Sequence, residues 1–215
     1  MNRRPLYLAL VLASTVLACG PKKPPKVDTV DTATTSDPAP PPPPPKCEKL
    51  DEKCEAKGGK KARIANISMN FEPVPGWMYA QGEKATVAQA SNDGACMALT
   101  GHEAPADAKD AKKLESARQT ALEVLVGELG ITLGKAKVTW KSPSDKIEVG
   151  QIKLQVWELK DPVTRGTKKG ALLVVASQPG DGKALVAVAF VPEDDEQNGT
   201  KIMPSIQTLA SGDVK

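Results

Sequence analysis

Histidine is nearly missing from this chain: 215 residues carry one, His102. Any triad built on an imidazole must use it. The candidate nucleophiles, Ser91 and Cys96, have no recognisable elbow or signature around them. Zinc would need His102 together with Cys47, Cys54 and Cys96, and no close-spaced ligand pair exists among these. A charge excess is missing as well. The 29 Lys and Arg against 26 Asp and Glu leave +3, which is no electrostatic footprint for nucleic acid. Aromatic residues make up 3%, so the core must come mostly from Val, Ile, Leu and Ala. That is adequate for one domain of ordinary size. On these grounds we assign no catalytic residue, no cofactor and no metal site, and expect a protein that is not an enzyme.

What is present is most distinctive at the start. Arg3-Arg4 precedes an apolar run over 6–17, which ends in Val16-Leu17-Ala18-Cys19-Gly20. A positive start, a short apolar core and a small residue before a cleavage point make an export signal. The uncharged stretch over 5–21 is 17 residues, short of the roughly 20 that a spanning helix needs. An uncleaved anchor and an ordinary cleaved signal are the alternatives. Pro5-Leu6-Tyr7 fits a twin-arginine signal poorly. The cysteine directly after the cleavage point resembles the lipobox of bacterial lipoproteins. That resemblance implies diacylglycerol on the Cys19 sulfur, cleavage after Ala18 and acylation of the new amino terminus. Gly20 stands where inner-membrane retention is associated with aspartate, so the resemblance also implies the outer membrane. Residues 1–18 are then a signal peptide.

Residues 19–46 are expected to be the lipidated cysteine and a disordered linker. Ten of the 19 prolines lie here, six of them consecutive over 40–45. Such a segment buries no core. At about 3.1 Å per residue in polyproline II it would reach roughly 80 Å. A spacer is the plain reading, and a ligand for a proline-recognising groove the sharper one. A single domain should then occupy 47–215. Outside the cytoplasm disulfides are permitted, and Cys47, Cys54 and Cys96 remain available. A helix through 47–54 would hold the outer α-carbons about 10.5 Å apart, whereas a bridge needs less than about 7 Å. Helix and Cys47–Cys54 bridge therefore exclude each other. Cys47, Leu50 and Cys54 would share a helix face. A bridge to Cys96, or no bridge, completes the options.

Within the domain, 62–71 reads as a strand with Ile67, Met69 and Phe71 alternating. A second extended piece follows Pro73-Val-Pro-Gly-Trp77. Segments 85–91 and 95–100 read as a hairpin around Asn92-Asp93-Gly94. Ala111, Leu114, Ala121, Leu122, Leu125 and Leu129 recur at helical spacing, with Asp107 as cap and Gly130 as stop. Lys109, Lys112, Lys113, Glu115 and Arg118 would cover the helix's other faces. Period two returns over 135–141, through Ala136, Val138 and Trp140. A long strand over 147–159 shifts phase at Gly150, which suggests a bulge. Segments 171–177 and 184–191 are apolar on both faces and should be a central hairpin. A short helix over 204–209 ends the chain, with Pro204 tolerable in its first turn. The order predicts an α+β domain: a mostly antiparallel sheet of about six or seven strands, one long helix and a C-terminal helix.

Several residues together resemble the PsbP-like and DcrB-like domains. They are Phe71-Glu-Pro-Val-Pro-Gly-Trp77, Asp93-Gly94-x-Cys96-Met97, Glu148-Val149-Gly150, Lys169-Gly170 and Ile202-x-x-Ser205-Ile206. The resemblance covers roughly 62–210 and implies an α/β/α sandwich, often carried by exported lipoproteins. It carries over no functional residue.

Other motifs weaken on inspection. Asp194-x-Glu196-x-Asn198-Gly199 is similar to the front half of a calcium loop, but Ser205 stands at the twelfth position and Lys201 in the middle. Gly180-Asp-Gly182-Lys183 lacks the first glycine and the Ser or Thr of a phosphate loop. Two basic runs, Lys57, Lys60, Lys61, Arg63 and Lys160, Arg165, Lys168, Lys169, can bind anionic headgroups or merely solvate loops. His102 follows a strand end and should be a surface loop histidine. The function expected is an exported, lipid-anchored envelope protein with a non-enzymatic binding or accessory domain. Its partners would be the membrane through the anchor and an envelope protein or anionic envelope component. The alternative is an envelope hydrolase or other enzyme using His102 or carboxylates such as Glu103, Glu148 and Glu158.

Overall fold

A computed structural model describes residues 45–104, 110–179 and 182–212. They lie in one compact unit, Pro43–Lys215. Cys19, the expected signal peptide and most of the expected linker lie outside the described residues. The strands are β1 (Ala62–Arg63), β2 (Met69–Phe71), β3 (Met78–Gln81), β4 (Thr86–Gln89), β5 (Cys96–Glu103) and β6 (Ile131–Thr132). They continue with β7 (Asp145–Val149), β8 (Ile152–Glu158), β9 (Val163–Arg165), β10 (Lys168–Ser177), β11 (Lys183–Pro192) and β12 (Ala210–Ser211). The helices are α1 (Ala111–Glu128), α2 (Glu196–Gly199) and α3 (Ile202–Ile206).

The main sheet is antiparallel and runs β3-β4-β5-β11-β10-β8-β7. Two short strands extend it, β9 on β10 and β6 on β9, making nine. The expected six or seven is too low because strands of two and three residues show no readable period. A second sheet runs β1-β2-β12. The expected strand over 62–71 is therefore two strands that fold back, Ala62 opposite Phe71.

The central strands bury both faces, and alternation assigns each residue to one. On β11, Leu185, Ala187 and Ala189 join one core with the small sheet and α3. Val186, Val188 and Phe190 join the other, under α1. On β5, Met97 and Leu99 face the first core, Cys96 and Ala98 the second. Helix α1 lays Ala121, Leu122, Leu125 and Val126 onto that second face. Asp110 caps it by accepting from the Lys113 N–H at 3.2 Å, while Asp107 lies outside the described residues. Gly130 follows the last turn at φ 64°, the left-handed conformation that ends helices.

Three local expectations are corrected. Gly150 is no bulge: Val149 pairs with Ile152, so Gly150 and Gln151 form a two-residue hairpin turn. Gly150 sits at φ 59°, as the first position of such a turn favours. Residues 135–141 form no strand; Ala136 is buried and Trp140 half-buried against the α1 face without a ladder. The terminal helix starts two residues earlier than expected, at Ile202, with Pro204 still in its first turn.

Candidate binding clefts around His102

The end of β5 carries the polar groups of greatest interest. His102 is not in a loop. It lies on β5 and pairs with Ala184 of β11, because β11 is long enough to extend the ladder past Thr100. Gly101 beside it makes room for the loop after β1. A Cβ there would meet Ile67 Cβ at 2.4 Å and the Asn66 backbone at 2.9 Å. The Gly101 N–H donates to Ala65 O at 2.7 Å, and Asn66 Nδ2 donates to Thr100 Oγ1 at 3.2 Å. Asn66 holds φ 64°, a conformation uncommon outside glycine and often stored at binding sites.

His102 Nδ1 lies 2.9 Å from Glu103 O. A carbonyl only accepts, so the neutral ring carries its proton on Nδ1 and a lone pair on Nε2. Nε2 is buried and has no partner among the described residues. Burial holds the imidazole pKa below its usual 6.5, and the Arg118 charge adds to this against the pull of Glu103. Two clefts meet at this residue. One, of about 740 Å³, is lined by Arg63, Asn66, Glu83, Glu103 and Lys183. The other, of about 650 Å³, runs between Lys84 and the α1 residues Ala117, Thr120 and Val124.

The candidate nucleophiles are elsewhere. Cys96 begins the strand that His102 nearly ends, about 20 Å away at the rise of a β-strand. It is a free thiol, fully buried, and burial pushes its pKa up to about 11 despite the Arg165 charge. Thiolate chemistry is closed to it near neutral pH. Ser91 is exposed near the far hairpin turn. Glu103, Glu148 and Glu158 are exposed on β5, β7 and β8 and do not converge. Glu103 shares a cleft with Glu83, and Glu158 shares another with Asp161.

Cys47 and Cys54 are joined by a disulfide with α-carbons 5.6 Å apart. Only one short turn, Leu50–Glu52, is helical between them. The ring covers the outer edge of β3: Gln81 N–H donates to Cys47 O at 2.7 Å and Tyr79 N–H to Cys54 O at 2.9 Å. An edge strand's open hydrogen bonds are thereby closed.

The acidic loop is tied up internally. Asp195 accepts from the Ala95 N–H at 2.9 Å and from Asn198 Nδ2 at 2.8 Å. Asp194 pairs with Lys168, and Glu196–Gly199 is helical. Among the described residues no group of three or more His, Cys, Asp or Glu is placed to hold a metal. In the Gly180–Lys183 motif, residues 180–181 lie outside the described residues; Lys183 reaches Asn66 O at 3.3 Å.

Two arginines were expected on the surface and are not there. Arg118 is 4% exposed. Its guanidinium lies 5.9 Å from the Trp140 ring centroid and 5.5 Å from that of Trp157, and donates to Ser177 O at 2.9 Å. Arg165 is 8% exposed. It donates to Leu129 O at 2.8 Å, Gly94 O at 3.0 Å and Gln89 Oε1 at 2.6 Å. It thereby ties the end of α1 to the β4–β5 turn. Spacing carried the signal in both cases. Arg118 stands four residues from both Leu114 and Leu122 on the helix stripe, and Arg165 alternates with buried Val163.

No protein-family model matches the chain, and no curated protein matches it. Two solved structures are similar at low identity. A protein from Bacteroides thetaiotaomicron is 12% identical with a TM-score of 0.44, over 71% of this chain and 48% of its own length. This chain thus spans about half of that protein. The Ran-binding protein Mog1p of Saccharomyces cerevisiae is 14% identical with a TM-score of 0.41, over 72% of this chain and 95% of its own.

Proposed function

We propose that this is an exported, lipid-anchored envelope protein whose single domain, over 47–215, binds a partner and performs no catalysis. The observation that carries the reading is the order Arg3-Arg4, apolar run, Leu17-Ala18-Cys19-Gly20. It fits an export signal with a lipid-modified cysteine and, in two-membrane envelopes, the outer membrane. The domain is an α+β unit of the PsbP-like and DcrB-like kind, with helical material on both faces of the sheet as an α/β/α sandwich. What supports binding is the use made of the reactive groups. Cys96 is buried, Arg118 and Arg165 hold packing, and Asp195 holds a turn. Open clefts remain at the His102 end. Among the described residues no helix is long and apolar enough to cross a membrane; in this reading Cys19 carries the anchor. Two or three acyl chains hold firmly where one does not. Cys19→Ser is expected to release the protein from membranes or stall its processing, read by fractionation of the native envelope. Unchanged membrane retention of a processed Cys19→Ser protein would refute the anchor.

One observation favours a catalytic alternative: a neutral His102 bordering two clefts. Under the binding reading no proton moves through the ring, so His102→Gln, which keeps a polar side chain of similar size between the clefts, leaves biological activity nearly unchanged in a complementation assay. Loss of function in a folded, anchored His102→Gln protein that still binds its partner would favour the catalytic reading.

A further inference from the structure

The exposed cations divide by their company. Lys168 pairs with Asp194 and Lys113 with Asp110. Lys135, Lys137 and Lys160 share a cleft with Glu158 and Asp161. The turn before β1 differs in density, with three lysines in the five residues 57–61. Lys57, Lys60, Lys61 and Arg63 are all exposed, and none forms an ion pair among the described residues. No Asp or Glu occurs over 56–71. The Lys60 N–H donates to Lys57 O at 3.0 Å, and Gly59 takes φ 75°, as the third position of a type II turn requires. That closed turn holds Lys57 next to Lys60 and Lys61. Arg63 sits at its rim, on the cleft that also carries Glu83 and Glu103.

We infer that the 57–63 turn is a docking surface for anionic phospholipid headgroups, a proposal that rests on the lipid-anchor reading. The shape is a protruding turn, not a groove, and Gly58-Gly59 at its tip supply no apolar wedge. Three of the four cations are lysines, compact hydrated point charges suited to a diffuse anionic surface and not to bidentate recognition. Each basic residue near such a surface strengthens binding roughly fivefold, several hundred-fold for four. Free in solution that is weak, of millimolar order. Attachment to the same membrane makes docking an intramolecular event, so an anchored domain would dock more than the free one.

The test uses the chain 20–215, which contains the whole compact unit and carries no lipid. Co-sedimentation is measured with vesicles of phosphatidylglycerol and phosphatidylethanolamine, and with phosphatidylcholine alone. The expected result is binding to the anionic vesicles at low salt, release at high salt, and none to phosphatidylcholine. A Lys57→Glu/Lys60→Glu/Lys61→Glu variant should lose at least about tenfold in partition. The neutral Lys→Gln triple should lose less. A Lys135→Glu/Lys137→Glu/Lys141→Glu variant makes the same charge change elsewhere and should stay within about twofold. Equal loss in both Glu variants, or no binding of the parent chain, would overturn the inference. Acylation of Cys19 is read separately, so a failed docking surface leaves the anchor reading standing, and an unmodified Cys19 removes the tether on which docking relies.

Discussion

The two basic runs look alike in the sequence and have opposite fates in the fold. Lys57, Lys60, Lys61 and Arg63 stay in solvent around a glycine turn. In the run Lys160, Arg165, Lys168, Lys169 the arginine is drawn inside and held by three acceptors, Lys168 pairs with Asp194, and Lys160 and Lys169 stay exposed. The difference is alternation. Arg165 lies on a strand whose inward positions face the end of α1, so its guanidinium completes carbonyls that would otherwise be buried unpaired. In the first run the lysines precede β1 and Arg63 takes the outward position of that strand, beside buried Ala62. A charge run therefore says little until the periodicity around it is known.

The largest loss of stability is expected at Arg165. Arg165→Ala leaves Leu129 O, Gly94 O and Gln89 Oε1 without their donor, and each buried acceptor left unpaired costs about 1–3 kcal/mol. The midpoint of thermal unfolding should fall by roughly 10 °C for a unit of this size. Arg165→Lys should rescue only part of it, since one ammonium cannot reproduce the fork of donors. A loss below about 1 kcal/mol for Arg165→Ala would place the residue with the surface lysines.

Arg118 sharpens the contrast through its neighbour. Its charge helps keep the His102 pKa low, second among the lowering causes after burial. Arg118→Met should therefore raise the His102 pKa, followed by NMR titration of the ring. The sign for stability follows from linkage. The folded pKa lies below the unfolded value of about 6.5, so the folded state binds fewer protons. The His102 contribution is fully present above about pH 6.5 and is lost as pH falls toward the folded pKa. Denaturation of the parent chain should show this acid-side decline, and His102→Gln should lack its share. An identical pH profile in both proteins would show that the ring is free in solvent.

At the small end, Lys60→Ala/Lys61→Ala should change stability by no more than about 0.5 kcal/mol, as exposed positions without partners do. A larger change measured by denaturant unfolding would mean the turn packs on something.

What could be read from the sequence divides on the same line. The hairpin of β4 and β5 and the central pair β10–β11 are legible because burial of both faces or one face leaves period-two runs of usable length. The β7–β8 hairpin is misread as one strand because a two-residue turn opening on Gly150 interrupts the alternation as little as a bulge would. Strands β6, β9 and β12, with two, three and two residues, are too short for any period. β6 and β12 find partners, β9 and β2, in distant segments, while β9 turns directly into β10. His102 is misplaced because the length of β5 is set by β11, its partner far along the chain. Arg118 and Arg165 are misassigned because charge is weighed above spacing. In each, a long apolar stem with a donor fork could be buried once carbonyls or indole rings were available. No motif marks the clefts around Asn66 and His102, since they arise where the β1–β2 loop crosses the end of β5.

The central claim, a domain tethered through a lipidated cysteine, is tested most directly by intact-mass analysis of the mature protein taken from its native membrane. The expected mature chain begins at Cys19, with Met1–Ala18 removed and mass added by a diacylglyceryl group and an amide-linked acyl chain on that residue. A mature protein with an unmodified Cys19, or one that retains residues 1–18, would contradict it.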